Sequence, residues 1–187
     1  RLLDRMIQTQ RRWSSAFDRM LPASFQLDGN QQFEAMVVPG YLQDGQVIYD
    51  FGGGKNPVIT PAMKQERRFE LVGVDISQVE LDRAPEGTYD AKVVADVATY
   101  RGVGSADLVI CRALLEHVKD VDGAFKALAS TIKPGGRILV FAPSRNAVFA
   151  RLNLILPHRM KRKILFALFP DSARDQGFEA FYDRCTP

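Results

Sequence analysis

The fold is decided by the stretch Val47-Ile48-Tyr49-Asp50-Phe51-Gly52-Gly53-Gly54-Lys55-Asn56-Pro57, where an apolar run ends at an acid and breaks into glycines. Such a run of strand-forming residues predicts a buried parallel strand, because helices cover both faces of a parallel sheet. The glycines let the backbone turn sharply and approach a ligand where a Cβ would collide. In open α/β sheets, nucleotide-like ligands bind beyond the carboxyl end of such a strand. The stretch therefore predicts a ligand-binding loop, with an ordinary tight turn as the alternative.

The composition is typical of a globular protein with a single domain. The chain has 187 residues, of which 46% are hydrophobic and 25% charged, and its net charge of +3 gives no reason to expect nucleic acid as a partner. Cys111 and Cys185 have no paired spacing, which indicates a reducing compartment and no metal knuckle. The sequence shows no targeting leader and no apolar run of the roughly 18–20 residues that span a bilayer. We therefore expect a cytoplasmic protein.

The remaining pattern predicts strands that alternate with helices. An amphipathic helix is expected over residues 1–20, and a second one over 31–37 is stopped by Pro39-Gly40. The glycine loop is then followed by predicted helices over 60–68, 78–83 and 114–132 and by predicted strands over 69–74, 89–95, 105–111 and 137–142. This alternation predicts a parallel sheet with right-handed crossovers.

The glycine stretch resembles the first motif of class I S-adenosylmethionine-dependent methyltransferases, in which a strand runs into an acid, an apolar residue and glycines. Asn56 stands here at the place of that motif's last glycine. Asp75 ends the second strand, Asp96-Val97 ends the third, and a Lys133-Pro134-Gly135-Gly136 turn precedes the fifth. This ordered series covers residues 46–143. It implies a Rossmann-like, doubly wound, mostly parallel sheet of the methyltransferase type, with S-adenosylmethionine as cofactor.

The resemblance also implies a set of cofactor-binding residues. An acid at the end of the second strand is placed to accept hydrogen bonds from both ribose hydroxyls, although a helix cap is the alternative reading of Asp75. Asp96 would accept from the adenine amino group, and the backbone of Cys111 would line the methionine end. The full set is Asp50, Phe51, Gly52, Gly53, Gly54, Asp75, Ile76, Asp96, Val97 and Cys111.

The segment from Cys111 to Val118 looks like the one after the fourth strand in quinone-biosynthesis O-methyltransferases, which can hold a divalent cation with two glutamates and a histidine. Ala113 replaces the first of those glutamates, so a hard cation would lack a ligand that it prefers and we predict no metal. Glu116 and His117 match the family pattern and are the candidate catalytic residues. His117 is the predicted base, since histidine suits proton removal at neutral pH. The alternative is that both residues merely open a helix.

Three regions follow from this pattern: an N-terminal helical cap over 1–45, the cofactor-binding core over 46–143, and a basic helical segment over 144–187. Residues 145–170 contain six Lys or Arg residues and no acid, which predicts either packing beside the active site or peripheral contact with a membrane. The family's sheet has two more strands than this pattern shows. Because the chain also begins without Met, we expect either a piece of a longer protein or a variant that ends early.

The sequence therefore predicts a methyltransferase that acts on an oxygen of a small-molecule or lipid-linked acceptor. Two alternatives come from other classes. A nicotinamide-dependent oxidoreductase is disfavoured because Pro57 stands where the dinucleotide fingerprint requires a small residue. The other alternative is a catalytically silent binding module with the same fold.

Overall fold

The computed structural model describes residue 20 and residues 29–143, which contain a five-stranded parallel sheet. Its strands lie in the order β3-β2-β1-β4-β5. They span Val47–Phe51 (β1), Glu70–Asp75 (β2), Ala91–Val94 (β3), Ala106–Arg112 (β4) and Ile132–Phe141 (β5). The order reverses direction on either side of β1, so the carboxyl end of this central strand lies at the switch point where doubly wound folds bind ligands. The predicted fold class is confirmed.

Alternate residues of the strands enter two separate cores, one on each face of the sheet. Ile48, Leu71 and Leu108 belong to the core that also holds Phe33. The core on the other face of the sheet packs with the helix Val121–Thr131. It includes Phe51, Val72, Val74, Val109 and Cys111. Because side chains alternate along a strand, burial on both faces requires the nearly continuous apolar runs seen in β1, β2 and β4.

Four α-helices lie among the described residues: α1 (Gly29–Gln32), α2 (Pro61–Arg67), α3 (Gln78–Asp82) and α4 (Val121–Thr131). The predicted start of α2 is confirmed, since the Thr60 hydroxyl accepts the Met63 N–H at 3.2 Å and Pro61 follows as the first helical residue. Arg68 ends this helix in a left-handed conformation, with φ of 56°. Ser77 caps α3 in the same manner as Thr60 caps α2.

The segment 114–132 is mostly helical, as predicted, but it is not one continuous helix. The segment divides into a 3-10 turn, Leu115–His117, and the helix α4. The division lies at Asp120, whose carboxylate accepts the Gly123 N–H at 2.9 Å and so starts a new helix.

The Lys133-Pro134-Gly135-Gly136 signal is a bulge inside β5 and not a turn before it. Ala106 pairs with Ile132 and Leu108 pairs with Arg137, so five steps along β5 oppose two steps along β4. The extra residues loop out, and Gly135 adopts a φ of 84° that glycine tolerates.

The helix predicted over 31–37 is longer than expected. It forms part of a helical segment that joins α1 to a π-helical turn, Phe33–Val37, and a 3-10 turn, Val38–Tyr41. We call these three elements the N-terminal helical segment. Pro39 does not stop it, because proline is tolerated near the start of a helical turn. The helix predicted over residues 1–20 (apart from exposed Met20) and the basic segment lie outside the described residues.

Candidate functional site

A cavity of about 320 Å³ lies at the carboxyl ends of β1, β2 and β4. The glycine loop Gly52–Gly54 forms its middle wall. Asp75 and Glu80 stand on the side of β2, and Arg112 and Ala113 stand on the side of β4. The cavity therefore lies at the topological switch point, where the sequence predicts a ligand.

A second cavity, of about 440 Å³, lies at the opposite end of the sheet. Its walls include Gln46, Asp107 and Lys133, which stand at or near the amino ends of strands, and an ion pair joins Lys133 to Asp107. It is the larger of the two cavities, but none of the predicted site residues lines it. We therefore place the candidate site at the glycine loop.

The glycine loop follows a path that side chains would block. Gly52 and Gly54 have positive φ angles of 73° and 45°, which glycine adopts without strain. A Cβ on Gly52 would lie 2.9 Å from the Leu114 side chain, so this loop packs directly against the segment after β4. The Asn56 N–H closes the loop with a 2.9 Å hydrogen bond to the Gly53 carbonyl. Asn56, which stands where the family motif has its last glycine, thus completes a turn in this chain.

Asp50 supports this loop from below and does not line the cavity. Its side chain is 1% exposed, and its Oδ2 accepts the Val58 N–H at 3.2 Å. The other oxygen, Oδ1, has no hydrogen-bond partner among the described residues. Burial, and to a lesser extent the nearby charge of Asp75, raises the pKa of Asp50 to about 7.

Asp75 directs a carboxylate oxygen toward the loop. Its Oδ1 accepts the Ser77 N–H at 2.9 Å, and its Oδ2 lies 3.2 Å from where a Gly54 Cβ would stand. Burial and the neighbouring Glu80 raise the pKa of Asp75, while the Ser77 N–H lowers it. Glu80 forms an ion pair with Lys55 across 3.7 Å. Sequence reasoning missed Glu80 and Lys55, although a Ser-x-x-Glu pattern at a helix start was visible.

Four other predicted cofactor residues do not line the cavity. Ile76 is 59% exposed, whereas Val97 and Cys111 are buried. Asp96 is exposed, and its Oδ1 accepts the Ala98 N–H at 2.9 Å, which engages one oxygen in its own turn. Burial raises the pKa of the Cys111 thiol, in keeping with a small apolar core residue. The structure thus brings together the glycines and Asp75, with Phe51 and Asp50 behind them, but not these four.

Glu116 and His117 lie in the 3-10 turn that follows Ala113 and Leu114. Glu116 is 4% exposed, and its Oε2 has no hydrogen-bond partner in the described part of the chain. Burial raises the pKa of this carboxyl, and the adjacent His117 lowers it. His117 is partly exposed and donates its backbone N–H to the Leu114 carbonyl at 2.8 Å. Neither side chain lines the cavity, but both belong to the segment that packs on the glycine loop through Leu114.

Over residues 29–143, no three His, Cys, Asp or Glu side chains are grouped so that they could hold a metal ion. The prediction that no metal is used remains a prediction. In the same range, no helix is long and apolar enough to cross a membrane.

Arg112 is a site residue that sequence reasoning did not identify. Its guanidinium forms an ion pair with Glu34 of the N-terminal helical segment and donates to the Asn56 carbonyl at 2.6 Å. Glu34 and Arg112 are far apart in the sequence, and no local pattern indicates that they meet.

Comparison with known proteins gives the class to which this fold and site belong. The sequence matches the family described as methyltransferase domain over residues 7–180, and the chain belongs to that family. The match confirms the predicted class I S-adenosylmethionine-dependent methyltransferase, with S-adenosylmethionine as its cofactor. It does not favour the nicotinamide-dependent alternative.

Two relatives share the name ubiquinone biosynthesis O-methyltransferase. The protein of Bordetella avium is 30% identical over 115 residues, which cover 57% of this chain and 46% of that protein. The protein of Ralstonia nicotianae is 33% identical over 110 residues, which cover 55% of this chain and 45% of the relative. The chain thus spans less than half the length of these relatives.

Solved structures share the fold at low sequence identity. A methyltransferase described as SAM dependent, from Archaeoglobus fulgidus, superposes with a TM-score of 0.53 at 18% identity, over 75% of this chain and 69% of that one. Phosphoethanolamine N-methyltransferase 2 of Haemonchus contortus, in complex with S-adenosyl-L-methionine, gives a TM-score of 0.51 at 21% identity, over 75% of this chain and 36% of that one. Likeness at this level shows the fold alone.

Proposed function

We propose that this chain transfers a methyl group from S-adenosylmethionine to a hydroxyl oxygen of a small-molecule or lipid-linked acceptor. The observation that carries the proposal is the cavity beside the glycine loop, which Asp75 and the loop line together. Bound there, the cofactor supplies a sulfonium methyl group that is already activated. The protein then has to bind and orient both molecules and to exclude water, and orientation of this kind contributes about 7–11 kcal/mol.

The residues of the cavity fit the nucleoside half of that cofactor. Gly52, Gly53 and Gly54 line the cavity without side chains, so a ligand can approach the backbone closely. Asp75 has one oxygen held by the Ser77 N–H and the other directed toward Gly54. A half-buried carboxylate in that place accepts hydrogen bonds from two neighbouring hydroxyls, as a ribose presents them.

In this proposal, His117 removes the proton from the acceptor hydroxyl. It follows the cavity-lining Ala113 by four residues, in the turn that Leu114 fixes against the glycine loop. The buried carboxyl of Glu116, its neighbour in the chain, stabilises the charge that His117 gains as it takes the proton. General base catalysis of this type contributes roughly 10²–10⁴-fold in rate.

Two features support an acceptor with a hydroxylated ring and an apolar tail. Both relatives described above carry a name that places them in ubiquinone biosynthesis as O-methyltransferases. Within the basic helical segment, residues 145–170 interleave Lys and Arg with Leu, Ile and Phe, a pattern that suits contact with an anionic membrane or a phosphorylated lipid.

The proposal is tested by transfer of a deuterated methyl group, with the products identified by mass spectrometry. A catechol with a short prenyl tail is the acceptor, and the matched control replaces both hydroxyls by amino groups. We expect the label on a catechol oxygen and none on the diamine. Transfer only to nitrogen would contradict O-methylation, and no transfer by a chain that still binds S-adenosylhomocysteine would favour the silent binding module.

A further inference from the structure

Arg112 is a partly buried cation at the edge of the cavity. It is the last residue of β4, and its side chain is 18% exposed. Burial lowers the pKa of its guanidinium, because water solvates the charge poorly there. A buried charge of this kind requires an opposite charge and hydrogen bonds to compensate it. Here Glu34 supplies the charge and the Asn56 carbonyl accepts one of the hydrogen bonds.

The charges that line the cavity are arranged with opposite signs at its two ends. Asp75 and Glu80 lie at the end next to β2, with Lys55 paired to Glu80. Arg112 lies at the end next to β4, across the central strand. A ligand that extends along the glycine loop therefore meets acceptors for hydroxyl groups at one end and a guanidinium at the other.

Glu34 is the more easily displaced member of the ion pair. Its side chain is 39% exposed, against 18% for Arg112, so water can solvate the released carboxylate. The backbone beside it is anchored independently, because Phe33 is 5% exposed and packs on Phe141 with a ring distance of 5.6 Å. Glu34 can therefore leave Arg112 by side-chain rotation, without release of the N-terminal helical segment.

We propose that Arg112 determines specificity by binding a carboxylate of the ligand, and that Glu34 holds its guanidinium until that carboxylate replaces it. The assignment rests on the proposed function, because it concerns the same cavity. Arginine binds carboxylates through two parallel hydrogen bonds, a geometry that lysine does not reproduce. The carboxylate comes either from the amino-acid end of the cofactor or from an acidic acceptor.

The first part of the test compares two nucleosides by titration calorimetry. S-adenosylhomocysteine carries the carboxylate, whereas 5′-methylthioadenosine lacks the amino-acid end. Loss of charged hydrogen bonds costs about 1.5–3 kcal/mol. Arg112→Gln should therefore weaken the binding of S-adenosylhomocysteine by roughly 10–150-fold and leave the affinity for 5′-methylthioadenosine unchanged. Glu34→Gln should raise the affinity for S-adenosylhomocysteine alone, since it removes the carboxylate that competes for Arg112. Arg112→Lys should recover only part of the lost affinity.

The second part separates the two sources of the carboxylate. If Arg112 binds an acidic acceptor, Arg112→Gln leaves both nucleosides unchanged and raises the KM of dihydroxybenzoate but not that of catechol. Arg137→Gln is the matched control, because it removes a guanidinium beside the cavity at the far end of the sheet. It should change none of these values.

If Arg112→Gln loses the same affinity for ligands with and without a carboxylate, Arg112 has a structural role and the proposal is overturned. No loss for any ligand, in a variant with the wild-type unfolding midpoint, would overturn it as well. A wild-type chain that binds neither nucleoside would refute the proposed function, and this assignment with it. The two proposals therefore fail on different measurements.

Discussion

The carboxylate of Asp50 lies so close beneath Gly53 that a Cβ on this glycine would stand 2.4 Å from Oδ2. The same Cβ would also lie 2.7 Å from the Tyr89 hydroxyl, which donates to the Gly54 carbonyl at 3.2 Å. Asp50 in turn accepts the Val58 N–H beyond the loop. The path of the glycine loop is therefore set by buried polar groups beneath it as well as by the glycines themselves.

Gly53→Ala should destabilise the fold and weaken binding of S-adenosylhomocysteine. The new methyl group collides with Asp50 and Tyr89, and overpacking of this kind costs about 1–3 kcal/mol. Gly40→Ala is the control, since a Cβ on Gly40 meets nothing within 4 Å. Urea unfolding of both variants measures the difference. A Gly53→Ala protein as stable as the wild type would show that the loop moves freely away from Asp50.

Asp50→Asn should stabilise the protein more strongly as the pH rises. The folded state raises the pKa of this carboxyl from 3.8 to about 7, so over this range the folded chain binds a proton that the unfolded chain has released. The free energy of unfolding of the wild type therefore falls as pH rises between these values and is level above them. Asparagine keeps an acceptor for the Val58 N–H and does not ionise. The gap in the free energy of unfolding between variant and wild type, measured by urea unfolding, should widen from about pH 5 to about pH 7.

A gap that stays constant with pH would mean that Asp50 does not titrate in this range. A gap that narrows would mean that its carboxylate is stabilised by the fold, contrary to its burial and to the lack of a described partner for Oδ1.

His117→Asn should lower the rate of methyl transfer by roughly 10²–10⁴-fold, because it removes the proposed base. The affinity for S-adenosylhomocysteine should stay the same, since His117 does not line the cavity. Single-turnover kinetics and calorimetry separate the two quantities. A variant that loses affinity and rate together would indicate that His117 holds the turn in place and takes no part in proton removal.

A charge-reversed variant at Lys161, Arg162 and Lys163 should no longer co-sediment with anionic vesicles. The wild-type chain should bind anionic vesicles more than neutral ones, and salt should weaken the binding because it screens charges over about 10 Å at about 0.1 M. Equal binding of wild type and triple glutamate variant would contradict membrane contact through this segment. The methyltransferase proposal does not depend on the result.

Much of the core fold could be predicted because its signals are local. Thr60-Pro61 starts a helix where a capping hydroxyl and a proline predict one, and β1 ends at Phe51, one residue past the predicted acid. The sequence predicts a turn before the strand at Pro134-Gly135, where the structure has a bulge, since the same residues suit both. Only the pairing with β4 distinguishes the two, and pairing is a tertiary property.

The site was predicted in part for the same reason. Asp75 is the last residue of β2 and the glycines follow β1, so the sheet brings them together. Asp96 comes two residues after the end of β3, which is the edge strand, and it does not line the cavity. The Arg112–Glu34 pair depends on how the N-terminal helical segment crosses the end of β4, which no local pattern reports.

The most direct measurement of the central claim is calorimetric titration of S-adenosylhomocysteine and NAD into the wild-type chain and Asp75→Ala. We expect the wild type to bind S-adenosylhomocysteine and not NAD. Loss of the charged contact to the ribose hydroxyls should weaken binding by about 1.5–3 kcal/mol in the variant. The control variant Asp44→Ala changes an exposed acid just before the amino end of β1, away from the cavity. It should bind S-adenosylhomocysteine like the wild type. Two results would contradict a methyl-donor site beside the glycine loop. One is a wild-type chain that binds NAD tightly and does not bind S-adenosylhomocysteine, and the other is an Asp75→Ala variant with full affinity for S-adenosylhomocysteine.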